Sequence, residues 1–159
     1  MAISDKKLYD GAALVTIVDA RGFLDLTKLK EIEGEKVRGR CYVINHKVNI
    51  YIKHATAVRT AKKSVNWQFT FDQDQIEEIE RLSQARPNHT FVIFVCNKVG
   101  ICALSYDDFK KVAGGGTTVR GITVFRKPKN GQFQVRGPGG DLEHHIPLRD
   151  FPDCLPLMR

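Results

Sequence analysis

The run Thr90-Phe91-Val92-Ile93-Phe94-Val95-Cys96 constrains the fold more than any other part of the chain, because six apolar residues in succession leave a strand no side to turn toward water. Such a strand has to be covered on both faces, which requires a sheet with material packed above and below it. The segment before it reads as one cover. Asp72 is a good N-cap, Gln75 completes a capping box three residues later, and Phe71 with Ile76 forms a hydrophobic staple. The spacing predicts a helix from Gln73 to Gln84 with Ile76, Ile79 and Leu82 inward, ended by Pro87. The same logic recurs at Ser105, with Asp108 three residues on and Leu104 facing Phe109, for a helix Tyr106 to Ala113 that stops at Gly114-Gly115-Gly116.

Around these elements the pattern is mostly β. Cys41 to Ile44 and Val48 to Ile52, separated by Asn45-His46-Lys47, predict a hairpin. Alternation in its second strand puts Val48, Ile50 and Ile52 on one face and Asn49, Tyr51 and Lys53 on a polar one. His54 to Asn66 has no period and reads as a loop, and Trp67 to Phe71 as a strand with three aromatics on its core face. Strands Ile101 to Leu104, Gly121 to Arg126 and Gln132 to Arg136 follow, the last two around Asn130-Gly131, a hairpin signal. At the N-terminus, Lys6 to Ala20 predicts a helix with Leu8, Leu14, Ile17 and Val18 inward, whereas Asp25 to Glu35 reads as a short helix or a linker. A chain of 159 residues with 42% apolar content supports one core. The expectation is a single α+β domain with a mixed sheet, two to four helices and a C-terminal β-hairpin over residues 1–136, and an extended tail, 137–159, packing on it.

Charge is segregated along the sequence. Lys36 to Phe71 contains eight basic residues and no acidic one, and Phe109 to Gly140 contains seven and none, so 15 of the 25 lysines and arginines lie in two acid-free blocks. Such blocks point to a polyanionic partner; strand edges protected by lysine and arginine are the alternative. No apolar run approaches the ~20 residues of a membrane-crossing helix, and the first ten residues lack a hydrophobic signal core, so a cytoplasmic protein without a membrane partner is expected. Cys41, Cys96, Cys102 and Cys154 have neither zinc-site spacing nor disulfide-scaffold density and read as reduced, mostly buried thiols.

The strand ending Ile50-Tyr51-Ile52-Lys53, the strand Trp67-Gln68-Phe69-Thr70-Phe71, the capped helix, the strand Phe91 to Cys96 and the closing Leu104 to Phe109 together resemble the core of PD-(D/E)xK nuclease-superfamily domains. The likeness spans residues 41–109, under half of the chain. It implies a metal held by an aspartate and a glutamate, with the lysine positioning water or stabilising charge on phosphorus. Here the carboxylate-x-lysine slot reads Tyr51-Ile52-Lys53, Asn45 stands where the aspartate is expected, and only the lysine carries over. A neutral phenol does not replace a carboxylate as a magnesium ligand. His144 and His145 among Asp141, Glu143, Asp150 and Asp153 point opposite ways on an extended chain, and neither glycine-rich stretch ends in the Gly-Lys-Ser/Thr of a phosphate loop.

These residues favour a binding domain over an enzyme: a nucleic-acid-binding domain with a degenerate nuclease-like core and no cofactor or metal. Arg40, Lys47, Lys53, Arg59, Lys62 and Lys63 are expected on phosphates, with Tyr42 and Tyr51 on bases or sugars. Two alternatives stand beside it. One is a Mg2+- or Mn2+-dependent nuclease in which Lys53 is catalytic and Glu31, Glu33 or Glu35 folds back to replace the missing ligands; the other is a module that docks an acidic protein.

Overall fold

Both faces of the apolar strand are covered, by different parts of the chain. The computed structural model describes residues 2–22, 24–32, 34–37, 41–55, 59–61, 64–115, 119–126 and 131–157. In chain order the elements are α1 (Asp5–Arg21), β1 (Leu26–Lys28), β2 (Glu31–Ile32), β3 (Glu35–Lys36), β4 (Cys41–Ile44), β5 (Val48–Ala55), β6 (Arg59–Ala61), β7 (Ser64–Phe71), α2 (Gln73–Ala85), β8 (Thr90–Cys96), β9 (Gly100–Ser105), α3 (Tyr106–Ala113), β10 (Val119–Arg126), β11 (Gln132–Gly137), β12 (Gly140–Asp141) and β13 (Ile146–Pro147). They form one α+β domain, as the pattern predicts, but with two principal sheets instead of one.

The first sheet has the order β1-β4-β5-β8-β9, with β5 and β8 parallel and the other pairs antiparallel. The second runs β12-β11-β10-β7-β6 and is antiparallel, with β13 added beside β11. One core lies between the sheets and takes in α2 and α3 through Ile79, Leu82, Phe109 and Val112. Rings fill its centre: Phe94 of β8 meets Phe69 and Phe71 edge-on at 4.8 and 6.0 Å, and Trp67 meets Phe133 at 6.4 Å. The other core lies on the opposite face of the first sheet, where Ala13 and Ile17 of α1 pack with Ile50, Ile52, Phe151, Leu155 and Leu157.

This layering explains where the sequence pattern misleads. β5 is interior to its sheet and covered on both faces, so Asn49 and Tyr51 are buried and the polar face expected of this strand does not exist. Asn49 is accommodated because its amide, with the Thr90 hydroxyl, donates to the carbonyl of Leu82 in the last turn of α2 (3.1 and 3.0 Å), which also accepts the Arg86 backbone N–H at 3.1 Å. The supposed loop from His54 to Asn66 contains the end of β5, all of β6 and the start of β7. Asp25 to Glu35 forms short strands, not a helix. The chain beyond residue 136 is integrated: β11 extends to Gly137, β12 and β13 join the second sheet, and the last segment enters the core beneath α1.

In α1 the inward positions are Asp10, Ala13 and Ile17, whereas Leu8 is 54% exposed. Gly11 sits mid-helix with nothing within 4 Å of an added Cβ. Gly11→Ala is therefore expected to stabilise the protein by about 0.5–1 kcal/mol, since alanine loses less backbone freedom in a helix. Urea unfolding measures this, and a lower midpoint would contradict the open surroundings.

Candidate nucleic-acid interface

Lys53 leaves β5 toward α2. Its ammonium donates to Oε1 of Gln75 at 3.3 Å and lies 4.9 Å from the centre of the Phe71 ring. The same oxygen accepts the Asp72 backbone N–H at 3.0 Å, and Asp72 in turn accepts from the Gln75 N–H at 2.8 Å. The capping box legible in the sequence thus also anchors this half-buried lysine. Tyr51 corrects the expected base contact: at 1% exposure its ring belongs to the inter-sheet core. Tyr42 is half-buried and its hydroxyl donates to Oδ2 of Asp10 on α1 at 3.0 Å, on the far side of the first sheet. Lys47 is exposed in the β4–β5 turn, beside Arg86, which donates to the His46 carbonyl. The length of β5, roughly 25 Å for its eight residues, separates Lys47 from the other end of that strand, so Lys47 and Arg59 do not share a patch through the hairpin.

Of the carboxylates expected near Lys53, Glu31 is exposed on β2, Glu33 lies outside the described residues, and Glu35 pairs with Arg81 of α2 at 3.1 Å. Glu35 lines a cavity of about 430 Å³ with Lys36, Asp74, Glu77, Glu78 and Arg81. Glu78 is 2% exposed and lies near Cys41, whose thiol is pushed up to about 12 by burial first and Glu78 second, with Arg81 opposing. Among the described residues no group of three or more His, Cys, Asp or Glu side chains is placed to hold a metal ion. With buried Tyr51 in the carboxylate slot, the residues present do not fit the metal centre that the nuclease resemblance implies.

The two acid-free blocks meet elsewhere. Pairing across the second sheet aligns Thr60 with Val65 and Val65 with Arg126, so the strands joined by residues 62–63 and by residues 127–130 end at the same end of the sheet. Those connections contain Lys62, Lys63, Lys127 and Lys129 and no acid, while Arg59 and Arg126 stand on the strands leading into them. Arg40, Lys62, Lys63, Lys127 and Lys129 themselves lie outside the described residues. Val65 is six residues from Phe71, roughly 20 Å along β7, which places Lys53 at the opposite end of that strand. Arg126 and two of the second block's four lysines, Lys127 and Lys129, were not expected as partners of Arg59; the Asn130-Gly131 turn announced a hairpin, but its neighbour in the sheet was not legible.

His144 and His145 part as expected, one to Asp108 at 3.3 Å and the other to Gln132 at 3.2 Å. All four cysteines are free; burial raises the thiols of Cys96 and Cys102 above their ordinary value and that of Cys154 to about 12. Compared with known protein families, with curated proteins and with solved structures, the chain matches none. No helix among the described residues is long and apolar enough to cross a membrane.

Proposed function

We propose that the protein binds nucleic acid by its phosphate backbone at the end of the second sheet, with Arg59, Lys62, Lys63, Arg126, Lys127 and Lys129 as the contacting cations. The observation that carries this reading is the strand register that brings the two acid-free blocks to one end of one sheet. Cations grouped without interspersed carboxylates raise the local potential and attract polyanions, whereas the same charges interleaved with acids would cancel within a Debye length. Lys53 has a positioning role in this reading, holding β5 to the first turn of α2.

Phosphate contacts release counterions, so binding weakens with salt in proportion to their number. Six contacts to a single strand correspond to a loss of roughly 300-fold between 50 and 200 mM salt. Fluorescence anisotropy with labelled 15-mers measures it; no binding at low salt, or binding indifferent to salt, would sink the proposal. Incubation with supercoiled plasmid and Mg2+ or Mn2+ probes the enzymatic alternative. Cleavage that disappears in Lys53→Ala would replace a binding domain with a nuclease. A pull-down from nuclease-treated lysate that retains an acidic protein would favour the docking module.

A further inference from the structure

We propose that the open face of the second sheet is a platform for the bases of a single-stranded polynucleotide, with Phe125 and Arg136 as the stacking surface and Asn66, Gln68 and Gln134 contacting base edges. This rests on the nucleic-acid reading above and specifies the form of the ligand.

Alternation along β7, β10 and β11 sends Trp67, Phe69, Phe71, Ile122, Val124, Phe133 and Val135 into the core, where all are buried. The residues between them face the other way, and the register sets them in two rows across the strands. Asn66, Phe125 and Gln134 are directly paired in one row, and Gln68, Thr123 and Arg136 in the next. Gln68 and Arg136 are exposed and the other four half-buried.

Phe125 faces outward amid amides and, among the described residues, belongs to neither core. Instead the Arg136 guanidinium lies 5.3 Å from the centre of the Phe125 ring, held there by Asp141 at 2.9 Å. Ring and guanidinium planes are the two surfaces on which proteins stack unpaired bases. Each asparagine or glutamine beside them offers a donor and an acceptor on one planar group, which matches the edge of a base. Among the described residues the carboxylate in these rows is Asp141, register partner of Arg136 on the edge strand β12 and ion-paired with it. The face is therefore near neutral and adjoins the basic end, which suits bases beside a phosphate track.

Width separates a single strand from a duplex. Five strands spaced at ~4.8 Å make a face about 19 Å across, too broad for a major groove of about 12 Å that admits a two-stranded ribbon. Bases reach this face only when unpaired.

The test compares wild-type protein with Phe125→Ala, Phe125→Leu and Phe125→Tyr by anisotropy, using labelled oligo-dT, oligo-U and a 15-bp duplex. Single strands of either kind are expected to bind at least 10-fold more tightly than the duplex. Phe125→Ala and Phe125→Leu should each weaken single-strand binding roughly 10-fold or more with an unchanged salt slope, and Phe125→Tyr should retain it. Phe125→Leu keeps apolar volume, so a loss in that variant is not unfolding; circular dichroism checks the alanine. Binding within twofold of wild type in both variants, a preference for duplex, or equal competition by heparin against wild type and Phe125→Leu would overturn the platform. If steep salt dependence persisted in those cases, the phosphate-binding reading would stand without it, whereas loss of all binding at low salt would remove both.

Discussion

Replacing Lys62, Lys63, Lys127 and Lys129 together by serine is expected to weaken oligonucleotide binding by roughly 100- to 1,000-fold at 50 mM salt and to flatten the logarithmic salt slope by about three. The two measurements are one effect, because a cation that no longer neutralises a phosphate no longer releases its counterion. The lysines come from segments more than sixty residues apart in sequence, and the proposal that they act together rests on the adjacency of β6, β7 and β10. Lys47→Ser, at the far end of β5, supplies the contrast: it removes an exposed lysine of the same acid-free block and should leave affinity and slope almost unchanged. Equal losses from the quadruple variant and from Lys47→Ser would mean diffuse attraction to a basic protein.

Gly139→Ala is expected to destabilise the protein by about 2–4 kcal/mol. An added Cβ at this position would stand 2.3 Å from the carbonyl oxygen of Lys111 and 2.7 Å from the nitrogen of Gly114. Both are backbone atoms, so no rotamer change relieves the clash and the β11–β12 turn has to withdraw from α3. Withdrawal also breaks the 2.8 Å hydrogen bond from the Gly139 N–H to the carbonyl of Val112, one of the groups that the last turn of α3 leaves open. For a domain of this size the loss lowers the melting temperature by about 5–15 °C. Calorimetry provides the check, with Gly11→Ala, expected to shift the other way, as the paired control. A melting temperature within 2 °C of wild type would show that the turn is not clamped.

How legible the fold was depended on how far each signal reaches along the chain. The caps at Asp72 and Ser105 involve residues within four of each other, and both helices begin where those residues require. Trp67, Phe69 and Phe71 announced a buried face through their alternation, and the face is buried. β5 failed because a strand's environment is decided by its neighbours: Asn49 and Tyr51 read as polar-face residues until β8 and α2 are known to enclose them. The basic end was half legible. Composition exposed the acid-free blocks, but which lysines share a surface is set by β7 pairing with β10, a contact between residues more than fifty positions apart. For the same reason Lys53, conspicuous in sequence, turned out to be tied to Gln75, while Arg126, one of seven cations in the second block, was not singled out as a contact.

Phe151, Leu155 and Leu157 lie against Ala13 and Ile17, and Arg21 meets Asp153 at 3.5 Å, so the first helix shares its core with the end of the chain. The helix also packs on Ile50, Ile52 and Ile93 of the first sheet, but its core is complete only when residues 151–157 join it. Closure of this layer therefore depends on a contact between residues 132 positions apart and is slowed by the long loop it must complete. A nascent chain stalled short of residue 151 should keep its leading helix open to proteases and chaperones.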